Sequence, residues 1–227
     1  MRILILGRGK TGKLVAEVAR ERGHSVYALD EVENRDAGSL TPVMLATFEA
    51  VIDFTTPEAV VPNVRACLAA GAKIVVGTTG WYDKLAEIRA LAERKQGALL
   101  YGTNFSFGVQ LLNRMASVLG QEARGFHFHI DETHHASKKD APSGTALSLQ
   151  SVLQATPFGA DAEITAHREG EAVGIHHLEL TTADERISVE HVALSRRSFA
   201  VGAVRGAEWL ATRTGCYDFR DVFMQIL

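Results

Sequence analysis

A glycine loop set between an apolar strand and a helix constrains this chain more than any other feature. Arg2–Leu6 is a short apolar run. Gly7-Arg8-Gly9-Lys10-Thr11-Gly12 follows it directly and opens a helical pattern expected over Lys13–Arg22, ending at Gly23. In a G-x-G-x-x-G turn the first glycine permits the tight bend and the second lets backbone approach a pyrophosphate. The third lets the helix pack on the strand. The helix start then offers N–H groups and a positive dipole end to the phosphates. Asp30 closes the next expected strand, Ser25–Asp30, where an acidic side chain would bind ribose hydroxyls. A glycine pattern alone is an ordinary turn; the strand–turn–helix–strand–Asp context makes this one a dinucleotide site.

The same acidic residue bears on which dinucleotide. Glu31 and Glu33 follow Asp30, and the nearest arginine downstream is Arg35. A ribose 2′-phosphate would meet repulsion here, so NADH is expected to be preferred. NADPH stays possible, because Arg8 or Lys10 could reach a phosphate.

Further strands are expected at Ala50–Thr55, Lys73–Val76 and Ala98–Tyr101, with a helix over Lys84–Lys95. Pro57 stands at a first helical position after Thr56, and Pro62 within that helix should kink it or shift its start. Apolar strands separated by helices indicate a parallel sheet covered on both faces, an α/β Rossmann-like architecture. Gly77-Thr78-Thr79-Gly80 and Gly102-Thr103-Asn104-Phe105 follow the last two strands, at the sheet edge where ligands bind in open α/β folds. Each is a plain turn if read singly. Sharing an edge with the glycine loop, they are expected to contact the nicotinamide ribose and carboxamide.

Past Asn104 the pattern changes. A helix near Gly108–Gln121 leads into Phe126–Ile130, which alternates strictly and reads as a half-exposed strand. Another helix opens at Ser143. Alternating stretches follow near Glu163–His167, His176–Thr181 and Arg186–Ala193, and a helix near Phe199–Thr212 is expected to close the chain. Strands in series suggest a mixed or antiparallel sheet with one solvated or partner-covered face. The expected organisation is a dinucleotide-binding domain, residues 1–104 with 198–227, and a second α+β domain, residues 105–197, built on a mixed sheet.

The 227-residue chain has a net charge of −3, so no basic field exists to hold nucleic acid or an acidic membrane surface. No stretch approaches the length of a membrane span, and the start lacks the pattern of a secretory leader. Cys67 and Cys216 lie far apart without metal-type spacing and read as thiols of a reducing compartment. A cytoplasmic location is expected.

The stretch from Glu132 to Ala146, Glu-Thr-His-His-Ala-Ser-Lys-Lys-Asp-Ala-Pro-Ser-Gly-Thr-Ala, carries the chemistry. It reads as a loop feeding a helix. Ser143 suits the N-cap, and Gly144 and Thr145 would turn backbone N–H groups toward an anion. Lys138 adds a point charge suited to a carboxylate, and a histidine titrating near neutrality can give or take a proton. An anionic small molecule held beside an acid/base group fits these residues.

Nine histidines raise the question of a metal. His127-x-His129 and His134-His135 have no cysteine nearby, and alternation sends adjacent strand residues to opposite faces, so no metal is expected. His127, His129, His176, His177 and His191 read as solvated or interface positions, Lys139 as a surface charge, and Asp140 as a residue that caps or orients the loop. Asp53 reads as a buried, hydrogen-bonded turn residue. The residues alone leave open a reductase of a dicarboxylate, another nicotinamide dehydrogenase of similar build, or an NADH sensor. The His134/Lys138 pair argues against the sensor, which needs no acid beside a nicotinamide.

The motif from Glu132 to Ala146 resembles the signature of the 4-hydroxy-tetrahydrodipicolinate reductase (dihydrodipicolinate reductase) family. The glycine loop, Asp53-Phe-Thr, Gly77-Thr-Thr-Gly, Asn104-Phe-Ser-x-Gly and Arg197-x-Phe-Ala-x-Gly-Ala203 match in order, covering nearly the whole chain. The chain is shorter than the family pattern after Asp30 and around Arg168–His176. The resemblance implies NAD(P)H-dependent reduction of 4-hydroxy-tetrahydrodipicolinate with loss of water, in the diaminopimelate route to lysine. It implies cofactor contacts at Gly7 to Gly12, Asp30, Gly77 to Thr79 and Gly102 to Phe105. It makes His134 the proton donor/acceptor and Lys138 a proton donor. His135, Ser143, Gly144 and Thr145 would bind the dicarboxylate, and the second domain would assemble a homotetramer.

Overall fold

The computed structural model describes all 227 residues and divides into two compact units, residues 1–106 with 197–227, and residues 107–196. No helix is long and apolar enough to cross a membrane.

The first unit is a six-stranded parallel sheet: β1 (Arg2–Leu6), β2 (Ser25–Leu29), β3 (Ala50–Asp53), β4 (Lys73–Val76), β5 (Ala98–Tyr101) and β10 (Gly215–Asp218). The order is β10-β5-β4-β3-β1-β2, so the direction of winding reverses between β1 and β3. Crossover helices are α1 (Lys10–Glu21), the single turn α2 (Pro42–Leu45), α3 (Pro57–Ala69) and α4 (Leu85–Lys95). Strands β1 and β3–β5 bury both faces, as the unbroken apolar runs require. Leu4, Leu6, Val51, Ile74 and Leu99 pack against Val60, Val64, Leu68 and Ile88 of α3 and α4. Helix α7 (Arg197–Leu210) packs against α1, β3, β4 and β5.

Three expectations for this unit are corrected. Helix α1 begins at Lys10, inside the glycine loop rather than after it, with Gly9 as its N-cap. Pro62 does not shift the start of α3, which begins at Pro57 and runs on to Ala69. The α7 helix does not close the chain: β10 adds a parallel strand beside β5, and α8 (Phe219–Ile226) follows. Phe219, Val222, Phe223 and Ile226 are its buried residues, a spacing that marks one helical face.

The second unit is a four-stranded mixed sheet in the order β7-β6-β8-β9, made of β6 (His127–His134), β7 (Glu163–Arg168), β8 (Ile175–Thr181) and β9 (Arg186–Val192). β6 pairs parallel with β7 and antiparallel with β8. Helices α5 (Phe107–Glu122) and α6 (Gly144–Gln154) share one core with the sheet, where Leu112, Ala116, Leu149 and Leu153 meet Phe128, Ile130, Leu178 and Leu180. Strand β6 runs four residues beyond the expected Phe126–Ile130 segment, so Glu132 and His134 lie on the strand and not in a loop. Because alternate residues share a face, the inward series is Phe128, Ile130, Glu132, His134. Two polar side chains thus finish a row that begins apolar.

Candidate active site

In the first unit the glycine loop opens on a cleft of about 490 Å³ lined by Gly7, Arg8, Gly9, Asp30, Thr55 and Asn34, among others. The three glycines do different work. A Cβ on Gly7 would meet the Phe54 carbonyl oxygen at 2.3 Å, and one on Gly12 would meet the Gly7 carbonyl oxygen at 1.9 Å. Those two hold the turn closed. A Cβ on Gly9 would meet nothing within 4 Å, so the loop is open where a pyrophosphate would lie over the start of α1. The residues therefore fit a dinucleotide.

Asp30 stands at the end of β2, half-exposed, with Oδ1 accepting from the amides of Val32 and Glu33, both at 3.0 Å. Arg8 lies across it, 3.4 Å from Asp30 Oδ2 and 3.0 Å from Glu33 Oε2. Arg35 also lines the cleft, but so do Asp30, Glu31, Asp36 and Glu58, and carboxylates outnumber guanidinium groups there.

Behind the cleft, Asp53 is fully buried and accepts from Thr55 N (2.9 Å), Thr55 Oγ1 (2.6 Å), Thr78 Oγ1 (2.8 Å) and Asn63 Nδ2 (2.8 Å). Burial raises its pKa against the pull of those donors. The network extends to Asn34, whose amide donates to Asn63 at 2.9 Å. It ties the loops after β3 and β4 together, and it turns the Thr78 hydroxyl inward. Phe105 likewise points into the core, with its ring 4.6 Å from that of Phe219. Gly77 and Thr79 belong to the loop after β4, and Gly102, Thr103 and Asn104 to the loop after β5; Thr79 and Thr103 are exposed, and Asn104 Oδ1 accepts from Ser106 N at 2.8 Å.

In the second unit the end of β6 gathers a buried polar cluster. Glu132 is fully buried. Its Oε1 accepts from Arg168 Nη2 at 2.7 Å and from Ser143 N at 3.0 Å. Its Oε2 is paired with Nδ1 of His134. Burial pushes the Glu132 pKa up, but Arg168, the Ser143 amide and His134 outweigh it and hold the carboxyl below its usual range. Burial lowers the His134 pKa, opposed by Glu132 and reinforced by Lys138 and Arg168, so the imidazole is neutral near pH 7. On the far side of the ring, Nε2 faces Gly174, where a Cβ would come within 2.9 Å.

His176 lies directly opposite Glu132 across the β6–β8 pair. It is buried, which corrects the expectation of a solvated or interface position. Burial first, then repulsion from His134 when that ring is protonated, drives its pKa down to about 4. Its Nε2 is 3.2 Å from Ser143 Oγ, which also accepts from Ala146 N and caps α6. Gly144 and Thr145 form the first turn of α6, at the positive end of its peptide dipoles.

The remaining signature residues surround this cluster. Lys138 is held by Asp140 at 2.7 and 2.8 Å, so Asp140 orients the lysine. His135 contacts Ser137 Oγ at 2.8 Å through Nδ1 and Arg196 at 3.5 Å through Nε2. The β7–β8 connection supports the loop directly: His135 N donates to Ala172 O (2.8 Å) and Ala136 N to Gly170 O (3.3 Å). Glu132, His134 and His176 offer ligand atoms within 4.8 Å of one another, which would interest a metal ion. The Arg168 guanidinium already sits on the same carboxylate, and a fixed cation there opposes a second one.

A parallel sheet with a glycine-loop cleft, and a mixed-sheet unit that joins a carboxylate-paired histidine to a helix start, define a nicotinamide-dependent oxidoreductase. The chain matches the family models described as dihydrodipicolinate reductase, N-terminus, over residues 1–105 and dihydrodipicolinate reductase, C-terminus, over residues 108–223. It belongs to the dihydrodipicolinate reductase family, whose reaction serves the diaminopimelate route to lysine. It is 33% identical over 242 residues to the 4-hydroxy-tetrahydrodipicolinate reductase of Christiangramia forsetii, an alignment covering 100% of this chain and 99% of that one. It is 38% identical over 247 residues to the enzyme of the same name from Natronomonas pharaonis, covering 97% and 99%. Among solved structures, the dipicolinate-bound dihydrodipicolinate reductase from Paenisporosarcina sp. TG-14 matches with a TM-score of 0.80 and 21% identity, covering 98% and 99% of the two chains. That last likeness concerns the fold.

Proposed function

We propose that this chain reduces 4-hydroxy-tetrahydrodipicolinate with loss of water, using the first unit to hold the cofactor and the second to hold the dicarboxylate. The observation that carries this reading is a buried, carboxylate-paired His134 whose Nε2 faces the space left by Gly174, beside the start of α6.

The chemistry follows from those groups. The α6 start at Ser143, Gly144 and Thr145 receives a substrate carboxylate, with His135 and Lys138 flanking it. Neutral His134 takes a proton at Nε2 from the carbon next to the imine, and the Glu132 carboxylate stabilises the imidazolium so formed. Lys138 gives a proton to the departing hydroxyl, which leaves as water. A nicotinamide dinucleotide held over the Gly7–Gly12 loop would supply the hydride, which is needed at the carbon that carried the hydroxyl. His134 returns its proton to the carbon next to the ring nitrogen's carbon, restoring the imine. The net uptake is one hydride and one proton.

NADH is the preferred cofactor on this reading, because Arg8 is already engaged by Asp30 and Glu33 in a cleft rich in carboxylates. NADPH would be accepted to the extent that Arg8 changes partners. The open face of the second sheet, with His129, Asp131, Thr133, His177 and Glu179 half-exposed, supports assembly as a homotetramer. The free thiols, Cys67 buried and Cys216 half-buried, support a cytoplasmic setting. The test is loss of NADH absorbance when freshly generated 4-hydroxy-tetrahydrodipicolinate is added. Turnover is expected, and activity only on an unrelated amino acid or sugar would overturn the reading.

A further inference from the structure

Strand β6 could have ended its inward face as it began it, with apolar side chains like Phe128 and Ile130. Instead it buries a carboxylate at the third position and brings Arg168 from β7 to compensate it. A buried ion pair of this kind is often no more stabilising than apolar residues of the same size, because desolvation offsets the attraction. Stability alone therefore gives weak grounds for Glu132. Its two oxygens have separate duties. Oε1 takes Arg168 and the Ser143 amide, the residue that caps α6; Oε2 takes His134.

We propose that Glu132 is a positioning residue of this site, fixing His134 with its proton on Nδ1 so that Nε2 is the proton-handling atom, while anchoring the start of α6. The inference deepens the reductase reading and, for the kinetic part of its test, rests on it. A carboxylate can only accept, so its ion-pair contact through Oε2 favours the tautomer with hydrogen on Nδ1. The Nε2 lone pair is then directed toward Gly174. Glu132→Gln separates the two duties. Its amide oxygen can still serve Arg168 and Ser143, and its NH₂ then faces His134 Nδ1 and requires that atom to accept. The ring is driven to the opposite tautomer, with hydrogen on Nε2.

The experiment uses the full chain with ¹⁵N-labelled histidine, the His134 signals being identified by their loss in His134→Gln. The wild type should show a pyrrole-type Nδ1 and a pyridine-type Nε2. Glu132→Gln should exchange the two and lower kcat by about 10²–10⁴-fold with KM within about threefold of wild type. Hydrogen on Nε2 in the wild type would overturn the proposal. So would a Glu132→Gln enzyme with unchanged kcat, or one whose loss lies in KM with the tautomer unaltered. The wild-type spectrum decides the matter even if the variant does not fold. It is also independent of substrate, so failure of the reductase reading would show as absent turnover with the tautomer intact.

Discussion

His134 and Gly174 share one space: the ring nitrogen Nε2 occupies ground that a Cβ on residue 174 would approach to 2.9 Å. The ring Cδ2 would be 3.4 Å from that Cβ and His176 Cε1 3.5 Å, so neither imidazole can yield without disturbing the other. Gly174→Ala is expected to lower kcat by at least about tenfold, about 1.4 kcal/mol of barrier, with far-ultraviolet circular dichroism unchanged. Steady-state kinetics with NADH would check this. Wild-type turnover in the alanine variant would mean that Nε2 does not handle the proton.

Two glycines of the cofactor loop, Gly9 and Gly12, should separate binding from folding. Gly12→Ala pushes a methyl against a backbone carbonyl that cannot move aside, and overpacking of this sort costs about 1–3 kcal/mol or more. A lowered Tm is expected. Gly9→Ala adds a methyl to open space at a φ of −70° that alanine adopts, so Tm should hold while NADH binding weakens by about tenfold. Calorimetric titration with NADH and thermal unfolding together decide it; equal effects at both glycines would contradict the assigned roles.

At Asp30, removal of the carboxylate takes away the proposed ribose acceptor and frees Arg8 from one of its two carboxylate partners. Asp30→Ala should weaken NADH by about tenfold, as expected for a lost hydrogen bond to a charged group, and NADPH less. The ratio of the two dissociation constants is the measurement. An unchanged ratio would remove Asp30 from the ribose site.

His176 makes stability depend on pH. Its pKa falls from 6.5 in the unfolded chain to about 4 in the folded one, through burial and then His134. The unfolded chain therefore binds more protons between these values. The full contribution is present above about pH 6.5 and is lost as pH falls toward 4, amounting to about 2 kcal/mol between pH 7 and 5. His134 and His191 shift in the same direction, so the comparison needed is with His176→Gln. The variant should lose less Tm than the wild type over that range; parallel losses would contradict the assignment.

The strands of the parallel sheet were legible because each is apolar throughout and each is followed by a helix signal. β10 and α8 were not read. Gly215–Asp218 is too short to show a pattern, although the helical spacing of Phe219, Val222, Phe223 and Ile226 was there to see. In the candidate site, the motif pointed to His134, Lys138 and Ser143, but Glu132, Arg168 and His176 were missed as partners. The apolar–polar alternation ends at Ile130, because Asp131 to His134 are all polar, so nothing in the pattern marks Glu132 and His134 as sharing the buried face that β6 gives them. Arg168 and His176 come from neighbouring strands, and their nearness depends on the registers His134↔Arg168 and Glu132↔His176, which local sequence does not encode. Burial of His176 follows from that register, since it places the ring on the covered face.

The most direct test compares wild type with His134→Gln, following NADH absorbance with freshly generated 4-hydroxy-tetrahydrodipicolinate and the variant's NADH affinity in parallel. The account predicts a fall in kcat of about 10²–10⁴-fold with NADH affinity preserved. Equal rates in the two proteins would contradict it.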